Sequence, residues 1–220
     1  MGVSEANMRI DQNLSKVTIP GYRLFTNKHE DGCTIKRLVA YVRQDLNIKL
    51  REDLMDEAVT SIWFEVHLKQ GRGDAKFLVC QVYREHKIFA IQGSEDMHQQ
   101  WTRWAIFLDQ WTKAMQESQE VHVLGDVNYN YKMIDRYQGS TNTAIAEATK
   151  DIILAKGVTQ CINQNARFPQ GKQKQEASLV DHIYTTSPEK LKNIEVKMIG
   201  YSDHAMITGE RKQLLARRWE

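Results

Sequence analysis

The sequence of 220 residues predicts an α+β fold in which two sheets pack face to face and helices lie outside them. Three observations predict this class. Strand-like stretches outnumber helical ones, the strands come in pairs joined by short turns, and two helical stretches separate the groups. We find no repeat, low-complexity segment or internal boundary, so we predict a single domain over residues 1–220.

Three strands are predicted in the first half of the chain. Residues 37–42 form an unbroken apolar run, which is typical of a strand buried on both faces. Every second residue in 61–68 is apolar and the residues between them include polar ones, as expected for a strand with two different faces. Residues 77–83 form its antiparallel return strand, because the glycines within 70–74 are typical of a hairpin turn.

A long helix is predicted to begin at Ser94, which is a suitable N-cap, with Glu95 and Asp96 in the first turn. Apolar residues then recur at helical spacing: Met97, Trp101, Trp104, Ala105, Leu108, Trp111 and Met115. A tryptophan stripe could stack on nucleic-acid bases. We interpret it instead as core packing against a sheet, since amphipathic stripes usually face a core.

A short buried strand follows at 121–124, and Gly125 ends it, because glycine allows a sharp turn and a close approach to a ligand. A second helix is predicted over 143–156, ended by Gly157. Four further strands are predicted at 158–162, 179–184, 194–199 and 205–208.

Composition excludes several functional classes. The net charge of +2 is too small for the whole protein surface to attract nucleic acid, so any nucleic-acid-binding surface must be a local positive patch. The three cysteines are widely spaced without a zinc-site pattern, which favours a reducing compartment, nuclear or cytoplasmic. No apolar run is long enough to cross a bilayer, and we predict no membrane partner. Residues 211–220 form a basic tail with four positive charges.

Polar residues that could carry chemistry fall at strand ends. Asp126 and Asn128 lie two positions apart, so in an extended chain their side chains project from the same face. The simpler alternative is an Asx turn that closes the strand. Asp181 interrupts an apolar strand and needs a partner there, because an unpaired buried carboxylate is costly. Asp203 and His204 form an acid–imidazole pair at a later strand boundary.

Together with Glu5 and the pair Tyr83 and Arg84, these groups supply what phosphodiester hydrolysis requires. One carboxylate can hold a Mg²⁺ ion that neutralises charge developing on the phosphate, and another can align or deprotonate a water molecule. A histidine oriented by a further carboxylate can stabilise the phosphate oxygens or donate a proton.

The motifs that carry these residues occur in a recognisable order. They read SEAN at 4–7, VYR at 82–84, GDVN at 125–128, SLVDHIY at 178–184 and SDH at 202–204. In this order they resemble the endonuclease/exonuclease/phosphatase superfamily. The segments GVSEANM, VYR and SLVDHIY most resemble those of the endonuclease domains of non-long-terminal-repeat retrotransposons, which are similar to abasic-site endonucleases.

The resemblance implies a four-layer α/β sandwich of two mixed, mainly antiparallel sheets, and a site that binds Mg²⁺ or Mn²⁺. Glu5 would be the chief metal ligand, with Asp203 near the metal or the water. Asp126 would position or activate the water, and Asn128 would hold the water or the phosphate. Tyr83 would contact the region of the scissile phosphate.

The resemblance also implies that His204 stabilises the transition state and that Asp181 accepts a hydrogen bond from it and fixes its tautomer. Arg84 and Asn7 are candidates for contact with the nucleic-acid backbone. The basic loop 167–177 resembles a variable hairpin that enters a DNA groove, although its composition is equally typical of a solvated loop. Its candidate contacts are Arg167, Lys172 and Lys174.

Members of the superfamily begin with an additional strand and helix before the glutamate strand, and the sequence has no counterpart of them. We therefore interpret the chain as N-terminally truncated, either a fragment of a longer reading frame or a degenerate copy. Three hypotheses follow. The first is a Mg²⁺-dependent endonuclease that nicks DNA as a monomer, with a reverse transcriptase domain C-terminal to it in the full-length protein. The second is a lipid or inositol phosphodiesterase on the same fold. The third is an inactive fragment that only binds nucleic acid or a partner.

Overall fold

The structure of the chain, a computed structural model, describes residues 1–9, 16–28, 35–70, 73–85, 94–133, 141–169 and 177–212. Their strands are β1 (Gly2–Arg9), β2 (Tyr22–Thr26), β3 (Ile35–Arg43), β4 (Asn47–Leu50), β5 (Ser61–Gln70), β6 (Gly73–Tyr83), β7 (Val121–Asp126), β8 (Thr159–Gln160), β9 (Asp181–Thr185), β10 (Leu191–Lys197) and β11 (Met206–Arg211). Their α-helices are α1 (Ser94–Glu117) and α2 (Thr141–Lys156).

The largest sheet has six strands in the order β4-β5-β6-β7-β9-β8. The β5–β6 pairing is antiparallel, as predicted, and extends to Gln70 and Gly73, while residues 71–72 lie outside the described part. Strands β6 and β7 pair in parallel because helix α1 connects them and returns the chain to the same end of the sheet. The remaining pairings in this sheet are antiparallel.

Helices α1 and α2 cover one face of this sheet. Trp63, Val123 and Tyr184 point from the strands into a core that they share with Trp104 and Trp111 of α1. The tryptophan stripe is therefore core, as predicted, and Trp101 packs at its margin. The fully buried Phe107 also belongs to it, although it was not among the predicted positions. The side chain of Met97 lies outside the described part.

The opposite face of the six-stranded sheet packs against two smaller sheets, β1-β3-β2 and β10-β11. Ile62 and Phe64 contact Leu38 and Ala40 of β3, and Leu124 and Ile183 pack in a separate cluster with residues of β10 and β11. Leu38, Val39 and Ala40 are consecutive and buried, which agrees with the prediction of a two-sided strand at the centre of β3. This stacking of sheets beneath a helical layer confirms the predicted α+β sandwich.

Strands β2 and β4 were not predicted. Each is short and pairs on one side only, so the sequence shows little of the continuous burial that marks an interior strand. The predicted strand 158–162 contracts to the two residues of β8. Gly157 ends α2 with φ of 63°, the left-handed conformation expected of a C′ glycine. No helix in the described ranges is long and apolar enough to cross a membrane.

A buried carboxylate joins the start of β7 to the β10–β11 hairpin. Glu120 accepts hydrogen bonds from Nε and Nη2 of Arg211 at 2.5 and 2.9 Å and from Nζ of Lys190 at 2.7 Å. It also contacts Nε2 of His122 at 3.0 Å. Burial alone would raise the pKa of Glu120, but these hydrogen bonds hold it well below its usual range. The carboxylate thus fastens the small hairpin to the large sheet.

Candidate active site

Three predicted site residues form one line across the large sheet. Tyr83 ends β6, Asp126 ends β7 and Asp181 begins β9, and the strand register places Tyr83 beside Asp126 and Asp126 beside Asp181. Side chains alternate along a strand, so all three project from the face opposite the helices. We call these three residues the polar row. Residues about a hundred positions apart in sequence thus become neighbours through strand pairing.

Gly125 makes this alignment possible. Its φ is +146°, and a Cβ atom there would lie 1.8 Å from the carbonyl oxygen of Val82 on the neighbouring strand. Only glycine lets β7 approach β6 this closely. The predicted close approach at Gly125 is therefore real, but the partner is a strand rather than a ligand, and the strand continues one residue further to Asp126.

Asp126 is 3% exposed and is held by the turn that follows it. The backbone N–H of Asn128 donates to Oδ1 of Asp126 at 2.9 Å, and its side-chain Nδ2 donates to Oδ2 at 3.3 Å. Burial, followed by repulsion from Asp181 and Glu5, raises the pKa of Asp126 to about 7, against the opposing influence of His204 and the Asn128 N–H. The Asx turn, which the sequence offered as the simpler explanation of Asp126 and Asn128, is present, and it orients the carboxylate of Asp126.

Asp181 and His204 form the second half of the site. Oδ2 of Asp181 lies 2.8 Å from Nδ1 of His204, and both side chains are partly buried. This hydrogen bond, together with the charge of Asp181, raises the pKa of His204 against the opposing influence of burial. With Nδ1 occupied, Nε2 is the ring nitrogen left for a ligand. Candidate ligand atoms of Asp126, Asp181 and His204 all lie within 4.8 Å of one another.

Glu5 joins the site through Tyr83. It sits with φ of 53° in an irregular part of β1, where the register with β3 shifts between Ser4 and Met8. The Tyr83 hydroxyl donates to Oε1 of Glu5 at 2.5 Å. Burial, then the hydrogen bond and charge of Glu5, raise the pKa of Tyr83, so the phenol stays protonated.

The predicted nucleic-acid contacts have different surroundings. The buried guanidinium of Arg84 donates to the carbonyl oxygens of Val127 and Asn128 at 2.5 and 2.6 Å and to Oε1 of Gln100 at 3.3 Å. These contacts assign it to holding the loop after β7 against α1. Asn7, with φ of 47°, accepts a hydrogen bond from Nη1 of Arg37 at 2.5 Å.

Asp203 is paired with a residue of the basic loop. Its Oδ2 accepts a hydrogen bond from Nε of Arg167 at 3.0 Å, and the Phe168 N–H donates to its carbonyl at 2.6 Å. The start of the basic loop is therefore fixed beside His204, with which Arg167 forms an isolated bridge. Lys172 and Lys174 lie outside the described residues, as do 213–220 of the basic tail.

A divalent cation fits this donor set. Glu5, Asp126 and Asp181 are three carboxylates close enough that two of them raise the pKa of the third. Oxygen donors of this kind are preferred by Mg²⁺ and Mn²⁺, and a cation would relieve the repulsion. Glu5 is exposed, whereas one carboxylate oxygen of Asp203 is occupied by its ion pair with Arg167. Glu5 is therefore the more accessible of the two predicted metal ligands.

Sequence comparison finds no family model and no curated protein that matches this chain. Comparison with solved structures finds many matches, and three illustrate them. The catalytic domain of Xenopus laevis APE2 has a TM-score of 0.70 at 10% identity, with 96% of this chain and 83% of that chain covered. The 3′ phosphatase NExo from Neisseria, bound to a product DNA hairpin, has a TM-score of 0.64 at 16% identity, with 96% and 88% covered.

The third is the endonuclease domain of TRAS1, a telomere-specific non-LTR retrotransposon. It has a TM-score of 0.60 at 14% identity, with 88% of this chain and 80% of that chain covered. All three belong to the endonuclease/exonuclease/phosphatase superfamily. At these identities the likeness is one of fold, and the fold that the motifs predicted is confirmed.

Proposed function

We propose that this chain is a metal-dependent phosphodiesterase that nicks DNA. The observation that carries the proposal is the convergence of five predicted residues at one end of the sandwich. They come from β1, β6, β7, β9 and the segment before β11, and they are Glu5, Tyr83, Asp126, Asp181 and His204. These residue types together supply a cation site, a base and an imidazole, which phosphodiester hydrolysis requires.

Glu5 would hold the Mg²⁺ or Mn²⁺ ion, and its charge is close enough to Asp126 to raise the pKa of that group. When bound, the ion neutralises negative charge that develops on the phosphate. Asp203 remains a predicted ligand, although its contact with Arg167 competes with that role.

The chain's own groups carry the proton chemistry. Asp126 would accept a proton from an attacking water, because burial and its acidic neighbours raise its pKa and so favour the protonated carboxyl group. Asn128, fixed beside it, would orient that water or a phosphate oxygen. His204, held by Asp181 through Nδ1, would present Nε2 to the phosphate oxygens and stabilise their charge. The protonated Tyr83 hydroxyl orients Glu5.

DNA is the substrate that the comparisons favour, since the similar structures include an endonuclease domain and a phosphatase bound to a DNA hairpin. The motif wording and the retrotransposon neighbour support a narrower role, in which the nick leaves a 3′ hydroxyl for reverse transcription. A reverse transcriptase domain further along a longer protein, and action as a monomer, belong to the same proposal.

The test is conversion of supercoiled plasmid to the nicked form with Mg²⁺, compared for the wild type, Asp126→Asn and His204→Ala. Matched controls are Asp109→Asn and His98→Ala, both exposed on α1. We expect the two site variants to lose activity by about 10²–10⁴-fold, as for removal of an acid–base group, and the controls to retain it. EDTA should abolish nicking by the wild type.

Four results would contradict the proposal. Metal-independent nicking, or nicking that survives both site substitutions, would place the chemistry elsewhere. Hydrolysis of phosphoinositides but not of plasmid would favour a lipid or inositol phosphodiesterase. DNA binding without cleavage under any divalent ion would favour an inactive binding module.

A further inference from the structure

A positively charged side chain, that of Arg37, lies at the Glu5 end of the site. Arg37, on β3, donates from Nη1 to Oδ1 of Asn7, two residues beyond Glu5. Its positive charge also opposes the rise in the pKa of Tyr83, so its guanidinium is within electrostatic range of the polar row. Nothing in the local pattern singles out Arg37, because it opens an apolar strand.

Arg37 differs from the other arginines near the site in what its charge contacts. Arg84 is buried against two carbonyl groups, and Arg167 is paired with the carboxylate of Asp203. Among the described residues, Arg37 forms no ion pair, and its hydrogen-bond partner is a neutral amide oxygen. It is also only partly buried. Of these three arginines, Arg37 is therefore the one whose charge remains available to an anionic ligand.

The position of Arg37 complements that of His204. The polar row spans three neighbouring strands, or about 10 Å. His204 contacts the Asp181 end of the row, whereas Arg37 contacts Asn7, two residues from the Glu5 that accepts the hydrogen bond of Tyr83 at the other end. An anionic strand laid along the row would meet a cation at each end, with the carboxylates and their metal ion between them.

We propose that Arg37 binds a backbone phosphate of the DNA strand next to the scissile phosphate, on the Glu5 side of the site. The proposal rests on the DNA-nicking function proposed above. A guanidinium suits this role because its planar fork donates two parallel hydrogen bonds to a phosphate. Arg37 also places positive charge where the carboxylates would otherwise repel the approaching backbone.

The test compares DNA binding by the wild type and Arg37→Gln. Binding of a fluorescein-labelled duplex is followed by anisotropy at several salt concentrations, with Ca²⁺ in place of Mg²⁺ and the duplex checked for integrity on a gel. Loss of one phosphate contact should weaken binding about tenfold and reduce the slope of log K against log salt by about 1. Arg37→Lys should restore the slope, because it keeps the charge.

The matched control is Arg43→Gln, which removes the same charge from the same strand. Arg43 is exposed, is paired with Asp45, and lies six residues from Arg37, or about 20 Å along β3. It should leave the salt slope unchanged. If Arg37→Gln and Arg43→Gln behave alike, Arg37 makes no specific phosphate contact and the proposal is wrong.

A purely structural role would give a different pattern. If Arg37 only held Asn7 in place, Asn7→Gly would remove the contact without straining the positive-φ backbone and would reproduce the full loss of salt slope. We expect Asn7→Gly to keep the salt slope, because a neutral amide neutralises no phosphate charge even where it contacts the DNA backbone. A slope equal to that of Arg37→Gln would overturn the proposal.

Failure of this proposal and failure of the proposed function are distinguishable. A slope change at Arg37 without any nicking by the wild type would reject the nuclease and support the phosphate contact. Metal-dependent nicking with an unchanged KM and slope in Arg37→Gln would support the nuclease and reject the contact. Absence of any DNA binding by the wild type would reject both.

Discussion

Replacing Tyr184 with phenylalanine removes one hydroxyl group from a buried hydrogen-bond chain behind the polar row. That hydroxyl lies 2.7 Å from Nδ1 of His182 and 2.7 Å from the hydroxyl of Tyr129. Nε2 of His182 lies 3.0 Å from the carbonyl oxygen of Leu179. Burial lowers the pKa of His182 to about 4, so the ring is neutral at pH 7. Nε2 therefore donates to the carbonyl, and Nδ1 accepts from Tyr184.

The expected cost follows from the groups that would be left behind. His182 is 1% exposed, so without Tyr184 its Nδ1 would be a buried acceptor without a donor, which costs about 1–3 kcal/mol. The hydroxyl of Tyr129 also interacts with Thr149 and would keep a partner, so its lost bond adds about 1 kcal/mol. We expect Tyr184→Phe to lower the free energy of unfolding by about 2–4 kcal/mol.

Urea denaturation at pH 7, with the m-value held to that of the wild type, measures this difference. Tyr201→Phe is the matched control, because Tyr201 is 89% exposed and the substitution should change stability by less than about 0.5 kcal/mol. In Tyr129→Phe, the further cost of Tyr184→Phe should fall by about 1 kcal/mol, since the bond between the two hydroxyls is already gone. A loss below about 1 kcal/mol for Tyr184→Phe alone would refute the assigned tautomer and network.

Two further substitutions test the frame of the site. Gly125→Ala would place a Cβ atom 1.8 Å from a backbone oxygen at φ of +146°, and it should destabilise the fold by about 4 kcal/mol or more. Gly157→Ala is the control, because that residue has open space around it, and it should cost about 1 kcal/mol. Equal losses of stability in thermal or urea unfolding would contradict the clash. Glu120→Gln should lower the free energy of unfolding by about 3 kcal/mol at pH 7, since it leaves the partly buried charges of Arg211 and Lys190 without their carboxylate. The folded-state pKa of Glu120 is lowered, so the stability that its ionised carboxylate contributes is complete above about pH 5 and is lost as the pH falls further. Urea unfolding at several pH values should therefore show a smaller loss of stability in acid for Glu120→Gln than for the wild type. The same pH dependence in both proteins would refute this role of Glu120.

Local patterns sufficed to predict the elements that carry the site. The helical spacing of the tryptophans predicted that α1 packs on a sheet, and the alternation in 61–68 predicted a strand with two faces. The cost of an unpaired charge predicted that Asp181, in an apolar strand, has a partner. The resemblance to the superfamily, and no local pattern, identified that partner as His204.

The sequence could not show which charges would already be occupied. Arg84 and Arg167 were both candidates for contact with a phosphate, but in the structure Arg84 donates to backbone carbonyls and Arg167 to Asp203. Arg37 looked like the first residue of an apolar strand, yet it lies beside Asn7. These outcomes depend on strand register between distant segments, which periodicity within one segment does not determine.

The arrangement of the polar row is unfavourable for the fold taken alone. Asp126 is almost fully buried, and both Asp181 and Glu5 repel its negative charge. Packing would be satisfied equally well by a neutral side chain at the end of β7, and burial of a carboxylate among others costs stability. The Asx turn with Asn128 and the glycine at 125 hold the carboxylate in that unfavourable place. The proposed function accounts for this cluster of carboxylates, since a metal-dependent hydrolase needs a cation site and a base, whereas the core contacts of the described residues do not require it.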